Sequence, residues 1–247
     1  MINLEELKLY LSVRRFDSTY IDGVQLYDEF LIHMTQLKKF IFNIKTEVYH
    51  RNVRFELPSI EDIQQSFNAR DYSQVAVNVN NKSERCDGKC HIYSLPYEFE
   101  YFINLDNSFQ GGVFHKVRQL TMNDSIPFDR QLFEIISRDF PFLEILSITN
   151  SYPQTHKQHS SIFITFPYLA FLDLKWAHVD YAEQFLVTKN MNLPRLLNLA
   201  VKYETLATIT NNFTNDPKQF NFGKVNSLDV SESFVRKKEF SQYFPLL

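Results

Sequence analysis

Apolar residues along the chain recur in a fixed pattern, in which one apolar residue is followed by two others three and five positions later. The pattern occurs eight times, and its first residues are Leu4, Leu37, Tyr72, Val117, Leu143, Leu169, Leu196 and Val225. The last five occurrences begin 26 to 29 residues apart, whereas the first three are more widely spaced. Because strand side chains alternate between two faces, this spacing predicts one short strand at each occurrence.

Between these strands the apolar spacing lengthens to three or four residues, which indicates helices. The clearest helical face consists of Phe128, Leu132, Ile136 and Phe140. Two helix starts are predicted from a capping residue with an acid three positions later, Ser59 with Asp62 and Asp180 with Glu183. Prolines that stop helices precede three strands, at Pro141, Pro167 and Pro194. Each unit is therefore predicted to run from strand to helix to proline, and such units bury their apolar faces by stacking on each other.

The whole pattern predicts an α/β solenoid with a parallel sheet on its concave side and helices on its convex side. We expect one solenoid domain over 1–247, with an irregular insertion at about 45–116. Within the insertion, the β-forming segments 73–80 and 89–95 are joined by the polar segment 81–88, which predicts a hairpin. The pattern is also compatible with a solenoid cut at both ends, because a strand begins at Leu4 and the last four residues copy the start of another unit.

Composition and charge narrow the function classes. The 247 residues include 26 Lys and Arg against 29 Asp and Glu, a net charge of -3, which argues against nucleic acid as a partner. Two cysteines, the absence of a signal-peptide pattern and the absence of a long apolar run favour a cytoplasmic protein without a membrane partner, with the nucleus as the alternative compartment. Five glycines leave little material for phosphate-binding loops.

Candidates for metal or catalytic chemistry are incomplete. Cys86, Cys90 and His91 have the residue types of zinc ligands, but the second ligand pair of a structural zinc site is missing. His156 and His159 lie in a polar segment without an adjacent glutamate. Nucleophile-elbow and phosphate-loop motifs are also lacking. We therefore expect no catalytic residue, no metal, no cofactor and no enzymatic activity. The alternatives are a hydrolase or transferase whose site is built from loops, and a chain without any partner.

The predicted sheet offers contacts for a protein partner. If the leucine positions point into the core, the residues between them point to the concave face. Those residues combine both charge signs with amides, hydroxyls and a few apolar side chains, which is typical of protein recognition rather than of a phosphate-binding track. The predicted partner-binding residues are Lys39, Asn43, Phe171, Asp173, Lys175 and Lys202.

The pattern Leu-x-x-Leu-x-Leu, with units of 26 to 29 residues, resembles the helical, intracellular type of leucine-rich repeat. The asparagine or cysteine usual eight positions after the first leucine is matched only by Asn80. More narrowly, segments 90–97, 140–143 and 172–181 resemble the C-terminal halves of F-box proteins that are numerous in rotifers. In that family the F-box docks on a cullin-RING ubiquitin ligase adaptor, and the repeats select the substrate. The resemblance implies a non-enzymatic, substrate-recognising scaffold that binds the adaptor only if an F-box lies upstream.

Overall fold

The computed structural model describes residues 4–68, 74–81, 86–154, 163–230 and 239–247. Its strands are β1 (Glu6–Phe16), β2 (Lys39–Tyr49), β3 (Val75–Asn80), β4 (Gly88–Ser94), β5 (Tyr101–Leu105), β6 (Gln119–Asn123), β7 (Ile145–Asn150), β8 (Ile164–Thr165), β9 (Phe171–Ala177), β10 (Met191–Asn192), β11 (Asn198–Val201) and β12 (Ser227–Val230). Its α-helices are α1 (Gly23–Glu29), α2 (Ile60–Asn68), α3 (Arg130–Asp139), α4 (Val179–Leu186), α5 (Tyr203–Ile209) and α6 (Phe240–Tyr243). Short 3-10 helices span Leu31–His33 and Pro217–Gln219.

Backbone contacts divide the chain into two compact units. Unit 1 comprises Met1–Glu98 with Ser108–Gln110, and unit 2 comprises Phe99–Asn107 with Gly111–Leu247. The expectation of a single solenoid domain over 1–247 stays a prediction.

Unit 2 contains a six-stranded parallel sheet in the order β12-β11-β9-β7-β6-β5. The strands predicted from the last five occurrences of the apolar pattern are therefore confirmed, and they lie side by side. Their leucines form one row across the sheet, because the register places each beside the next: Leu120, Leu146, Leu172, Leu199 and Leu228. The first four are at most 1% exposed. The fold is thus a mixed α/β fold whose parallel sheet buries this row.

A second row of buried side chains precedes the strands and contains four of the 24 phenylalanines of the chain. In each of five successive units, a backbone N–H at the first apolar position donates to the carbonyl three residues earlier, which closes a tight turn. The residue that supplies the carbonyl is buried every time: Phe114, Phe140, Phe166, Leu193 and Phe222. The rings of Phe114 and Phe140 stack with their centres 4.5 Å apart. Large rings therefore fill the same place in neighbouring units.

Helices α3 and α4 contact each other through buried aromatic rings in unit 2. Phe133 of α3 lies edge-on to Phe185 of α4, with ring centres 5.0 Å apart. Helix α3 begins with Asp129 as its cap. The predicted cap of α4 at Asp180 is wrong, because the chain enters that helix two residues earlier and Nδ1 of His178 accepts the N–H of Asp180.

Unit 1 contains a four-stranded mixed sheet in the order β1-β2-β4-β3. Strands β1 and β2 are parallel, whereas β4 runs antiparallel to both β2 and β3. The predicted hairpin is confirmed as β3 and β4. The core of this unit includes Phe42, Phe67 and Ile92. Ser59 and Asp62 form the predicted capping box of α2, with Oγ of Ser59 accepting the N–H of Asp62 and Oδ2 of Asp62 accepting the N–H of Ser59.

The region predicted as an irregular insertion is more ordered than expected. Its last strand, β5, belongs to the parallel sheet of unit 2 and was not predicted from the apolar pattern. The two-stranded parallel sheet formed by β8 and β10 was also missed. Tyr72, which begins the third occurrence of the pattern, lies outside the described residues, whereas β3 begins at Val75.

Candidate functional site

Three of the predicted partner-binding residues lie on β9, near the middle of the sheet of unit 2. Phe171 is placed beside Ile145 of β7 and Asn198 of β11, and Asp173 beside Ser147 and Ala200. Phe171, Asp173 and Lys175 are partly exposed, whereas Leu172 and Leu174 between them are buried. The alternation therefore sends the predicted residues to the face opposite the leucine row, which we call the recognition face.

A break in this alternation adds a residue that the sequence analysis did not include. The register between β7 and β9 shifts after Ser147, so that Thr149 lies beside Trp176. Inside the shift, Oδ1 of Asp173 accepts the backbone N–H of Lys175 at 3.0 Å. Strict alternation would have placed Trp176 in the core with Leu172 and Leu174. Instead, its side chain is 67% exposed, more than any other large hydrophobic side chain in the described part of the chain.

Lys202 lies next to this exposed tryptophan. It follows β11 and forms the N-terminal cap position of α5. Its Nζ is 5.8 Å from the centre of the Trp176 ring, which is within the range of a cation–π contact. The structure thus brings Lys202 into contact with Trp176 at the end of β9. The sequence alone had not predicted this contact.

Lys175 is engaged within the protein. Its Nζ forms an ion pair with Oδ2 of Asp229 on β12. Because β11 lies between β9 and β12, the side chain of Lys175 reaches across β11 to Asp229, which is placed beside Ala200. Both charges of the pair are partly exposed, and such pairs contribute about 0–1 kcal/mol. A partner would therefore meet a positioned pair of opposite charges rather than a lone lysine.

Lys39 belongs to unit 1, where it lies at the start of β2. Its Nζ is 3.4 Å from both Oε1 of Glu6 and Oε2 of Glu98. Desolvation lowers the pKa of Lys39, but the hydrogen bond to Glu98 and the two negative charges outweigh it and raise the pKa above its ordinary value. Lys39 is exposed, and its charge is balanced by these carboxylates.

Asn43, also on β2 in unit 1, does not lie on an accessible face, and the expectation that it is displayed there is corrected. Its side chain is 1% exposed. Its Nδ2 donates to the Tyr97 hydroxyl at 2.6 Å, and its Oδ1 lies 2.8 Å from Nε2 of His91. Asn43 therefore belongs to a buried polar network with Tyr97 and His91. The face of β2 that carries Asn43 is covered at this position.

This network contains side chains with shifted pKa values. Burial, reinforced by the positive charge of Lys45, lowers the pKa of His91 to about 3. Burial also raises the pKa of Tyr93 to about 12, although a hydrogen bond from Asn78 opposes that shift. His91 is therefore neutral at physiological pH and serves as a hydrogen-bonding member of the network.

The described residues do not assemble the metal ligands considered from the sequence. Cys90 is part of the apolar core, whereas His91 belongs to the polar network on the opposite face of β4. Both Cys86 and Cys90 are buried free thiols. Across the described ranges, no group of three or more His, Cys, Asp or Glu side chains could hold a metal ion. His156 and His159 lie outside the described residues.

Each unit contains a cavity. One, of about 530 Å³, is lined in unit 1 by His50, Arg54, Phe55, Glu56, Leu57, Asn81 and Asp87. The other, of about 360 Å³, is in unit 2, where α4, α5 and the segment before β12 contribute Asp180, Glu183, Lys189 and Asn215 among others. Neither cavity includes a predicted partner-binding residue, and the strongly shifted His91 and Tyr93 line neither of them.

Within the residues that the structure describes, no helix has the length and apolar character needed to cross a bilayer. Comparisons of the chain with protein-family models, with curated proteins and with solved structures found no match.

Proposed function

We propose that this chain is a non-enzymatic, leucine-rich-repeat-like solenoid scaffold that binds a protein partner on the recognition face of unit 2. The observation that carries the proposal is Trp176, a largely exposed tryptophan at the end of a central strand with Lys202 beside its ring. Tryptophan is among the residues most enriched at energetic hot spots of protein interfaces, since it buries a large area with little loss of side-chain entropy.

The surroundings of Trp176 supply the other features of a protein interface. Asp173 and the Lys175–Asp229 pair bring both charge signs close to the aromatic side chain. Such mixed charges select a complementary partner more than they add raw affinity. Hydrogen-bonded neighbouring strands hold these residues in a fixed order, so little ordering cost remains to be met on binding.

The experiment is partner capture with matched variants. The tagged chain is cross-linked in an extract of its source cells, and the proteins retained by wild type are compared with those retained by Trp176→Ala and Asp173→Lys. We expect both variants to lose the same partner, by about tenfold or more for Trp176→Ala, because removal of a central aromatic anchor costs about 2 kcal/mol or more. Retention of that partner by both variants would contradict the proposal.

Two controls separate binding from folding. Asp173→Asn keeps an oxygen that can accept the N–H of Lys175, so it isolates the loss of charge from damage to the strand. Phe30→Ala removes an exposed aromatic side chain of unit 1, where 55% of the residue is exposed, and should leave capture unchanged. Thermal melts of all variants should agree with wild type within a few degrees.

The resemblance to F-box proteins extends this proposal to a role in substrate selection for a ubiquitin ligase. If the full-length protein carries an F-box before residue 1, that segment would bind the cullin-RING adaptor, while the recognition face would bind the substrate. Sequencing of the transcript upstream of residue 1 tests this extension. A transcript that encodes no F-box-like helical segment would remove the ligase role and leave the scaffold role. The proposal places the protein in the cytoplasm, which imaging of the tagged chain would check.

A further inference from the structure

A second surface of unit 2 lies at the edge where the parallel strands begin. In five successive units, the residue immediately before the first apolar residue of the repeated pattern is exposed. These residues are Lys116, Phe142, Tyr168, Arg195 and Lys224. Backbone hydrogen bonds run from unit to unit just beside them, for example from the N–H of Ala170 to the carbonyl of Glu144. We call this row, together with Arg118, the strand-start edge.

The middle of the strand-start edge alternates rings and guanidinium groups. The rings of Phe142 and Tyr168 lie against each other with centres 5.5 Å apart. The guanidinium carbon of Arg118 lies over the Phe142 ring, 5.1 Å from its centre, and that of Arg195 lies over the Tyr168 ring, 4.9 Å from its centre. Phe142 and Tyr168 nevertheless remain 38% and 37% exposed. The result is an apolar centre with an arginine at each end.

Positive charge is concentrated on this edge, although the whole chain carries a net charge of -3. Four cationic residues belong to the edge. Two acidic residues, Glu100 and Glu144, flank Arg118 on the neighbouring strand starts, and Oε1 of Glu144 lies 3.5 Å from Nε of Arg118. Nη1 of Arg118 donates to the carbonyls of His115 and Val117. Lys224 donates from Nζ to the carbonyl of Pro194 at 2.8 Å. Arg195 forms no ion pair within the described ranges, so its guanidinium N–H groups are available to an outside acceptor.

We propose that the strand-start edge binds an acidic peptide segment of a partner protein. A guanidinium held over a ring face can still direct N–H groups away from the ring, and the guanidinium of Arg195, which forms no ion pair in the described ranges, can donate two parallel hydrogen bonds to a carboxylate. The complementary peptide carries an acidic residue at each end and an apolar residue between them. Its carboxylates face Arg195 and Arg118, and its apolar side chain contacts Phe142 and Tyr168.

The spacing of the strands sets the spacing of the acidic residues. Arg118 precedes β6 and Arg195 precedes β11, three strand positions apart in the order β6-β7-β9-β11, which corresponds to roughly 14 Å across the sheet. Arg195 also lies two residues farther from its strand than Arg118 does, and the ring contacts keep the two guanidinium groups within about 16 Å of each other. Four residues of extended peptide cover about 13 Å. Acidic residues at i and i+4, with an apolar residue at i+2, therefore match the two arginines and the rings between them.

Single-stranded nucleic acid fits this edge less well. Stacked bases need open ring faces, and here an arginine covers one face of each ring while the two rings also contact each other. The chain as a whole also carries a negative net charge, which opposes a polyanion more than it opposes a short peptide. The edge is separate from the recognition face, so this proposal stands whether or not Trp176 binds a partner.

Fluorescence anisotropy with a labelled, blocked peptide tests the proposal. The probe carries glutamate at i and i+4, phenylalanine at i+2 and serine elsewhere. Two comparison probes are used. One is the same peptide with both glutamates replaced by lysines, and the other is oligothymidine. We expect saturable binding of the glutamate peptide to the full chain, weakened by added salt, and at least about tenfold weaker binding of the two comparison probes.

Charge reversal at one end of the edge provides the matched variants. Arg195→Glu should weaken binding of the glutamate peptide about tenfold or more, whereas Lys218→Glu, an exposed lysine on the Pro217–Gln219 turn, should change it less than about twofold. Asp173→Lys on the recognition face should leave it unchanged. The proposal is overturned if the glutamate peptide does not bind, if oligothymidine or the lysine peptide binds as tightly, or if Arg195→Glu binds like wild type.

Discussion

At the scale of single residues, the protonation state of His91 decides how unit 1 responds to acid. Its pKa falls from 6.5 to about 3 on folding, first because of burial and then because of the charge of Lys45. Below pH 6.5 His91 is protonated in the unfolded chain, whereas in the folded chain it stays neutral until about pH 3. The free energy of unfolding therefore decreases as pH falls through this window, by about 1.4 kcal/mol for each pH unit.

A substitution at the same position isolates this contribution. His91→Gln retains a side-chain N–H that can donate to Oδ1 of Asn43 but cannot be protonated. Urea unfolding at pH 7, 6 and 5 should show a smaller loss of stability in this variant than in wild type. Equal slopes in wild type and His91→Gln would show that His91 is not held neutral by the fold.

Three residues, Asp173, Trp176 and Asn43, show what the sequence could and could not predict at this scale. The alternation along β9 correctly separated Asp173 from the buried Leu172 and Leu174. The exposure of Trp176 depends on the register shift beside Thr149, and an isolated strand sequence carries no signal for that shift. The burial of Asn43 depends on Tyr97 and His91, which are far from it in sequence.

At the scale of secondary-structure elements, the close contact between α1 and α2 in unit 1 depends on a glycine. Gly23 begins α1, and its N–H donates to Oγ of Ser66 at 2.8 Å. A Cβ at this position would lie 2.5 Å from the backbone carbonyl oxygen of Ser66. Gly23→Ala should therefore lower the free energy of unfolding by about 1–3 kcal/mol, since one helix must move.

The neighbouring exposed residue gives the matched control. Val24→Ala should change the free energy of unfolding by less than about 0.5 kcal/mol in the same urea titration. A Gly23→Ala variant as stable as wild type would mean that α1 and α2 do not approach each other this closely.

The apolar pattern fails to predict β5 because this strand departs from the regular spacing. In β5 the apolar residue expected five positions after Phe99 is replaced by Asn104, which adopts a positive φ of 56°. The register then shifts, and Leu105 takes the place beside Met122. A regular spacing therefore identifies regular strands and overlooks one that contains an extra residue.

At the scale of the whole molecule, each repeat of unit 2 contributes one residue to the leucine row in the sheet and one residue to the row of buried side chains that precedes the strands. Leu172 lies in the centre of the leucine row and is fully buried, whereas Leu228 on the outermost strand β12 is only partly buried. Leu172→Ala should lower the free energy of unfolding by about 2–5 kcal/mol. Leu228→Ala should cost about 1 kcal/mol or less, because a cavity at the outer strand can be filled by solvent.

Thermal or urea unfolding of the two variants measures this difference. Equal losses would contradict a stack in which each strand is covered on both sides by its neighbours. The repeated apolar spacing predicted five adjacent strands of this sheet, β6, β7, β9, β11 and β12, but not β5. It did not predict the division of the chain into two units, because the boundary falls within the irregular segment between β4 and β6.

The recognition face can be tested directly, because Trp176 is the single tryptophan of the chain. Acrylamide quenching of its fluorescence should be efficient in the free protein, since 67% of the residue is exposed. In the purified complex with a captured partner, provided that the partner's own tryptophans are replaced, quenching should fall several-fold and the emission should shift to shorter wavelength. Unchanged quenching and emission in a stoichiometric complex would contradict the central claim that this protein binds its partner through Trp176.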